Sequence, residues 1–176
     1  MTARYILSAI GQDRPGLTQD LAKAVLAAGG NWLESHLSHL GGHYVGAVLV
    51  EIAPDKVAAL ETAAQQTATG GLHVSVVPAG EAAAAQGESL ELELVGQDRP
   101  GIVHEVAAVL AGLGVNIEDF TSAADNSAWS GELLFRARAR LSLPPHVTAD
   151  AVREALEAIS GDIMVDFTFG PRAPAV

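Results

Sequence analysis

The stretch of this chain best equipped for chemistry occurs twice: GQDRPG spans residues 11–16 and again residues 96–101. It joins a carboxylate, a guanidinium and a Pro-Gly step just ahead of an apolar run. If a helix begins there, its first backbone N–H groups lack intrahelical partners and could hold a carboxylate. Gly16 or Gly101 would let a ligand approach the backbone closely. Asp13 or Asp98 could meet an ammonium group, so the segment has the parts to hold a free amino acid. The plainer alternative is a tight turn, with Asp13 or Asp98 accepting from the free helix amides and Pro15 or Pro100 in the first helical turn. The residue types alone leave both open.

Other chemistry is scarce. His36, His39 and His43 in HLSHLGGH are the nearest approach to a metal cluster, but residues 36 and 39 of a strand point to opposite faces. The chain has no cysteine, hence no disulfide, thiol nucleophile or thiolate ligand. It has no HExxH and no GxSxG elbow. The hexamer lacks the Lys and Ser/Thr of a phosphate-binding loop and the glycine spacing of a dinucleotide fingerprint. We therefore expect no catalytic residue, no metal and no cofactor. Arg136, Arg138 and Arg140 share one face of an expected strand. They could bind an anion, but Glu91 and Glu93 on the neighbouring strand, with Asp162 and Asp166 beyond, offer cross-strand partners. Trp32 and Trp129 read as interface aromatics or as half-buried packing residues.

Composition narrows the class further. The 176 residues are 49% hydrophobic, enough for real cores, and carry a net charge of -11. The charge is uneven: residues 1–80 sum to -2 and residues 81–176 to -9. A surface of that sign repels phosphate backbones, so direct nucleic-acid binding is not expected. No apolar run approaches the roughly 20 residues of a membrane span. The opening MTARYILSAIGQDRPG lacks a secretory pattern, so a cytoplasmic location is expected.

The hexamer is the most visible part of a longer repeat. YILSAIGQDRPGLTQDLAKAVLAAGGNWLE aligns without a gap on LELELVGQDRPGIVHEVAAVLAGLGVNIED. Leu17, Leu21, Val25 and Ala28 fall against Ile102, Val106, Leu110 and Leu113, and Asn31 against Asn116. Such self-similarity identifies the structural unit. Each unit reads strand, helix, strand, strand, helix, strand. The strands are expected near 5–10, 31–40 and 43–52, then 90–95, 115–124, 130–142 and 162–169; the helices after the hexamers, at 55–67 and at 148–160. Glycines in AAGGN and AGLGVN should close the first helix of each unit. The expected architecture is α+β: two ferredoxin-like βαββαβ domains, each an antiparallel four-stranded sheet in the order 4-1-3-2 with two helices on one face. Domains at 1–78 and 89–170 would be joined by a linker at 79–88 and followed by a tail at 171–176. At this size each domain is marginal alone, and packing two together would relieve that.

The repeated segments resemble the opening of ACT domains: a first strand, Asp-Arg-Pro-Gly, a helix, and a Gly-x-Asn-Ile-like turn. Two such units in a short chain are similar to the glycine cleavage system transcriptional repressor family. The resemblance implies side-by-side units with amino-acid effectors at the seam. One seam position would use Asp13, Arg14, Pro15, Gly16 and Leu17 with Asn116; its mate would use Asp98, Arg99, Pro100, Gly101 and Ile102 with Asn31. This chain has Asp13 and Asp98 where serine-binding members carry asparagine, and Gly11 and Gly96 where they carry histidine. The resemblance implies a regulator that senses a small amino acid, glycine or serine, forms a homo-oligomer and acts through a DNA-binding transcriptional activator. Its alternatives are a free-standing module regulating a metabolic enzyme and an interaction protein without a ligand.

Overall fold

Period-two patterning puts Leu90, Leu92 and Leu94 inside and leaves Glu91 and Glu93 in solvent, as a sheet with one wet face requires. The structure is a computed structural model and describes residues 1–67, 71–80, 88–126, 133–159 and 163–168. The chain divides into two units, Met1–Ala82 and Ala83–Val176. The first runs β1 (Ala3–Gln12), α1 (Leu17–Ala27), β2 (Asn31–Leu40), β3 (His43–Ile52), a 3₁₀ turn (Pro54–Lys56), α2 (Val57–Thr67) and β4 (His73–Pro78). The second runs β5 (Glu88–Gln97), α3 (Ile102–Gly112), β6 (Asn116–Asn126), β7 (Leu133–Leu143), α4 (Ala149–Glu157) and β8 (Met164–Thr168).

The sheets have the orders β2-β3-β1-β4 and β6-β7-β5-β8, antiparallel throughout. In each unit's own numbering this is the expected 4-1-3-2. Helices cover one face of each sheet. In the first unit Leu17, Leu21 and Val25 of α1 meet Leu7, Val48, Val50 and Ile52, with Leu60 and Ala64 from α2. In the second, Ile102, Val106 and Leu110 meet the β5 leucines, Leu141, Val152 and Leu156. Each of these leucines, taken fully out of water, contributes about 1.5–3 kcal/mol before entropy is counted. Trp32 is half-buried against the first core, a packing residue; Trp129 lies outside the described residues. Gly29 and Gly114 have φ of 75° and 71° and close α1 and α3 as expected.

Two local expectations fail. Pro15 and Pro100 do not sit in the first helical turn, and Asp13 and Asp98 do not cap it. The helices start at Leu17 and Ile102, after Gly16 and Gly101, whose φ values are 94° and 92°. The left-handed step turns the chain after the proline, so each aspartate falls three residues ahead of the cap position and cannot reach the first amides. The second helices are shorter than expected. In the first unit the chain enters through a 3₁₀ turn at Pro54, and α4 begins only after Thr148, whose hydroxyl accepts from the Ala151 N–H at 3.2 Å.

Candidate functional site

The two hexamer loops leave the ends of β1 and β5 and turn into α1 and α3. Their backbones are pinned to the neighbouring strand connection: the Asp13 N–H donates to the Gly42 carbonyl at 3.3 Å, and the Asp98 N–H to Leu133 at 2.9 Å. Beyond the loop, the N–H groups of Asp20 and Glu105 close the first helical bonds onto Gly16 and Gly101. Among the described residues no side chain caps either helix, and at the second loop the Ile102 N–H donates to the Arg99 carbonyl at 3.3 Å. A side chain at Gly16 would meet no heavy atom within 4 Å, so the conformation requires glycine there and packing does not.

Arg14 and Arg99 do something the single residues do not announce. Arg14 pairs with Asp20 at 3.0 Å. Arg99 grips both oxygens of Glu105, one of them at 2.9 Å. Each arginine thus ties the loop to the first turn of its helix, where negative charge is also favoured by the helix dipole. The double hydrogen bond from Arg99 holds the Glu105 carboxyl below the usual carboxylate range and raises the arginine further. Sequence reasoning missed Asp20 and Glu105. The available signal was the acid six residues after the arginine in both copies.

The aspartates have diverged. Asp13 Oδ2 lies 2.7 Å from His39 Nδ1. The second copy has Ala124 at the position of His39. Asp98 is half-buried, and among the described residues its side chain makes no hydrogen bond or ion pair. The same contrast continues nearby. Thr18 and Tyr44 hydroxyls are 3.1 Å apart in the first unit, and their counterparts in the second are Val103 and Phe135. The polar contacts of the first loop therefore have no counterpart in the second, where Asp98 has no partner among the described residues. Beside the first loop a hollow of about 500 Å³ is lined by Gln12, Gly42, His43, Gly71 and His73 among others. Leu17 and Ile102 are both core residues, 3% exposed, so their side chains serve packing.

Within a unit the asparagines do not join the loops. Asn31 pairs through Glu51 with Arg4, and the loop begins after Gln12, eight residues further along β1. At about 3.3 Å per residue that is roughly 26 Å. Asn116 stands in the same relation to its own loop, through Ser142 and Ser89, with Gln97 eight residues on. Asn31 and Asn116 each sit at the start of an exposed edge strand.

The histidines do not cluster. His36 is 3.1 Å from Glu34, His39 meets Asp13, and His43 Nδ1 lies 3.2 Å from the Gly41 carbonyl. No set of three metal-ligating side chains is present among the described residues, and no described helix is long and apolar enough to cross a membrane. On the open face of the second sheet, Arg138 pairs with Glu93 at 2.8 Å, as cross-strand register predicts. Arg140 departs from expectation: opposite Glu91, it turns to Glu118 at 3.3 Å. The reason is a bulge in β6 that inserts Glu118 between Ile117 and Asp119, matched by Leu33 between Trp32 and Glu34 in β2. Asp166 lies opposite Glu93 in the register of β8; Asp162 lies outside the described residues.

Comparison with known proteins agrees with this architecture. Residues 4–76 and residues 91–161 each match the ACT domain family. No curated protein matches the chain. The crystal structure of an unknown protein from Galdieria sulphuraria is similar over 95% of this chain and 98% of its own, with 27% identity and a TM-score of 0.82. That of a proposed glycine cleavage system transcriptional repressor covers 97% of this chain and 99% of its own, with 16% identity and a TM-score of 0.71. What the matched family carries is ligand sensing and regulation rather than catalysis. With the same domain matched over both halves, the chain belongs to the ACT domain family as a tandem of two such domains.

Proposed function

We propose that this chain is a free-standing amino-acid sensor whose ligand is held at the hexamer loops, the second above all. The observation that carries this reading is Asp98: a half-buried carboxylate without a partner among the described residues, three residues before the cap position of a helix that no side chain caps. An ammonium group there would give that carboxylate an ion-pair partner. The ligand carboxylate would go to the first-turn amides of α3 beyond Ile102, whose own N–H is taken by the Arg99 carbonyl, with Arg99 and Pro100 shaping the loop and Ile102 anchoring it. The first loop, Asp13 to Leu17, would be the weaker site, because His39 already engages Asp13. The roughly 26 Å between each loop and its own asparagine supports a reading in which neither Asn31 nor Asn116 serves the loop of its own unit; a homo-oligomer remains part of the proposal.

The sensor's output would be a protein contact. Regulation of a metabolic enzyme is the broader reading. The finer one, action on glycine cleavage genes through a separate DNA-binding activator, draws its support from the full-length likeness to the proposed repressor and from the acidic surface. The test is a thermal-shift screen of the twenty amino acids, glycine and serine first. A ligand at a hundred times its Kd should stabilise its unit by about 2.7 kcal/mol, and Asp98→Asn should remove most of that gain. If no amino acid raises the melting temperature, the chain is an interaction protein without a ligand. Capture with a DNA-binding protein, or with an enzyme, then separates the two outputs.

A further inference from the structure

The open face of the second sheet holds a hollow of about 360 Å³, lined by Val95, Thr121, Ala123, Asp125 and Arg136 together with the Arg138–Glu93 pair. Its volume lies within the usual range of small-molecule pockets. Of the three arginines on this face, two are occupied, Arg138 by Glu93 and Arg140 by Glu118. Arg136 is different. Its cross-strand neighbours are Val95 and Ala123, neither able to pair with it, and among the described residues it has no ion-pair partner. Asp125 lies on the same face, diagonal to it, since Ala123 pairs with Arg136 and Asp125 with Leu134. It too has no ion pair among the described residues. Diagonal neighbours of this kind sit about 7–8 Å apart. The hollow therefore separates one free positive from one free negative group, with a short apolar floor between them.

The fold does not require these charges. The first unit builds the same sheet with Ile6, Ser8 and Ile10 where the second has Glu91, Glu93 and Val95, and with Val45, Ala47 and Leu49 where it has Arg136, Arg138 and Arg140. At these positions charge is present in one copy alone, and the part of it left unpaired lines a cavity.

We propose that this hollow binds a small zwitterion of the α-amino-acid class, its carboxylate on Arg136 and its ammonium group on Asp125. The Thr121 hydroxyl supplies a further polar contact, and Val95 and Ala123 take the ligand's carbon. A simple anion fits less well, because Glu93 and Asp125 balance Arg136 and Arg138 and leave the lining with no net charge. A zwitterion matches that balance and satisfies both free groups at once. This site is separate from the hexamer loops and does not depend on their function.

The experiment is an NMR titration of the whole chain with glycine, with acetate and methylammonium as half-ligands. Glycine should move the amide signals of Val95, Thr121, Ala123 and Arg136 saturably, and each half-ligand should bind at least about tenfold more weakly. Arg136→Gln and Asp125→Asn should each abolish those shifts. Both positions are exposed, so the variants keep the dispersed spectrum of the folded chain. Gly101→Val should leave them intact, which distinguishes this hollow from the loop above α3. Glycine shifts that persist in Arg136→Gln overturn the proposal, as does their absence in the unaltered chain. Acetate binding as tightly as glycine overturns the zwitterion assignment.

Discussion

Arg99 grips Glu105 through two guanidinium nitrogens across six residues of chain, and Arg14 holds Asp20 over the same span in the other domain. Through this pairing the arginine of the repeated hexamer locks the loop onto the first turn of the helix. A ligand at the loop would then meet a preformed turn and lose less in ordering it.

The pair predicts a pH signature. Hydrogen bonding from Arg99 depresses the Glu105 carboxyl in the folded state. A depressed carboxylate binds its proton more readily when unfolded, so its stabilising effect is present above the unfolded value, about 4.3, and is lost as pH falls through the folded one. In urea unfolding monitored across pH 2.5 to 7, Glu105→Gln should be less stable than the parent chain near neutrality and converge with it at the acid end. Because both side chains are about two-fifths exposed, the gap should be small and should narrow in salt. A gap that widened on acidification would contradict the assignment.

The left-handed step offers a second test. Gly16 and Gly101 have φ near 90°, a region that costs an L-residue roughly 1–2 kcal/mol. Gly16→Ala should lose about that much, although open space surrounds the position, and Gly16→Asn should lose less. Gly101→Val should cost at least as much and weaken amino-acid binding at that loop. The measurements are chemical unfolding and ligand titration on the same samples; a Gly101→Val chain unchanged in both would show that the turn does not need its glycine.

Much of this architecture is written in the sequence, and what escaped has identifiable physical causes. The bounds of β2 and β3 and the strand order follow from period-two alternation and the internal repeat, because burial of one sheet face enforces both. The helix entry did not follow. Asp, Pro and Gly each have a cap role on their own, and only the backbone shows that glycine takes the cap position here. The Arg–acid bond spans a turn and a helix, so neither helical nor strand spacing reveals it. Arg140 chose Glu118 over Glu91 because of a bulge, which adds one residue and is silent in an alternating pattern. At the candidate site, the residue types of the loop were legible. The inequality of Asp13 and Asp98 was not, since it depends on a histidine 26 positions away in one copy and an alanine in the other.

Gly11 carries a different constraint. A Cβ built there would stand 2.6 Å from the Leu72 Cα and 2.7 Å from the Gly71 carbonyl oxygen, both backbone atoms that cannot swing aside. Gly11→Ala should therefore push the Gly71–Leu72 segment off β1 and cost about 1–3 kcal/mol, the usual range for overpacking. Hydrogen exchange should show β4 amides losing protection before those of β3. A side chain larger than alanine has still less room at position 11. Full stability of Gly11→Ala would mean that the close approach is not real.

Charge decides the last prediction. The chain carries -11, of which residues 81–176 hold -9. Every phosphate contact needs a cation free to make it, and affinity for duplex DNA rises with the number of such contacts. The one dense run of positive charge, Arg136 to Arg140, is largely spent: Arg138 is bound by Glu93 and Arg140 by Glu118. Arg136 alone cannot offset the repulsion of the acidic surface around it. The purified chain should therefore leave a duplex unshifted in gel mobility at about 0.15 M salt, where a Debye length of roughly 8 Å still lets neighbouring charges act together. A sub-micromolar shift without any added protein would overturn this. It would also remove the need for a separate DNA-binding partner, on which the transcriptional version of the proposed function depends.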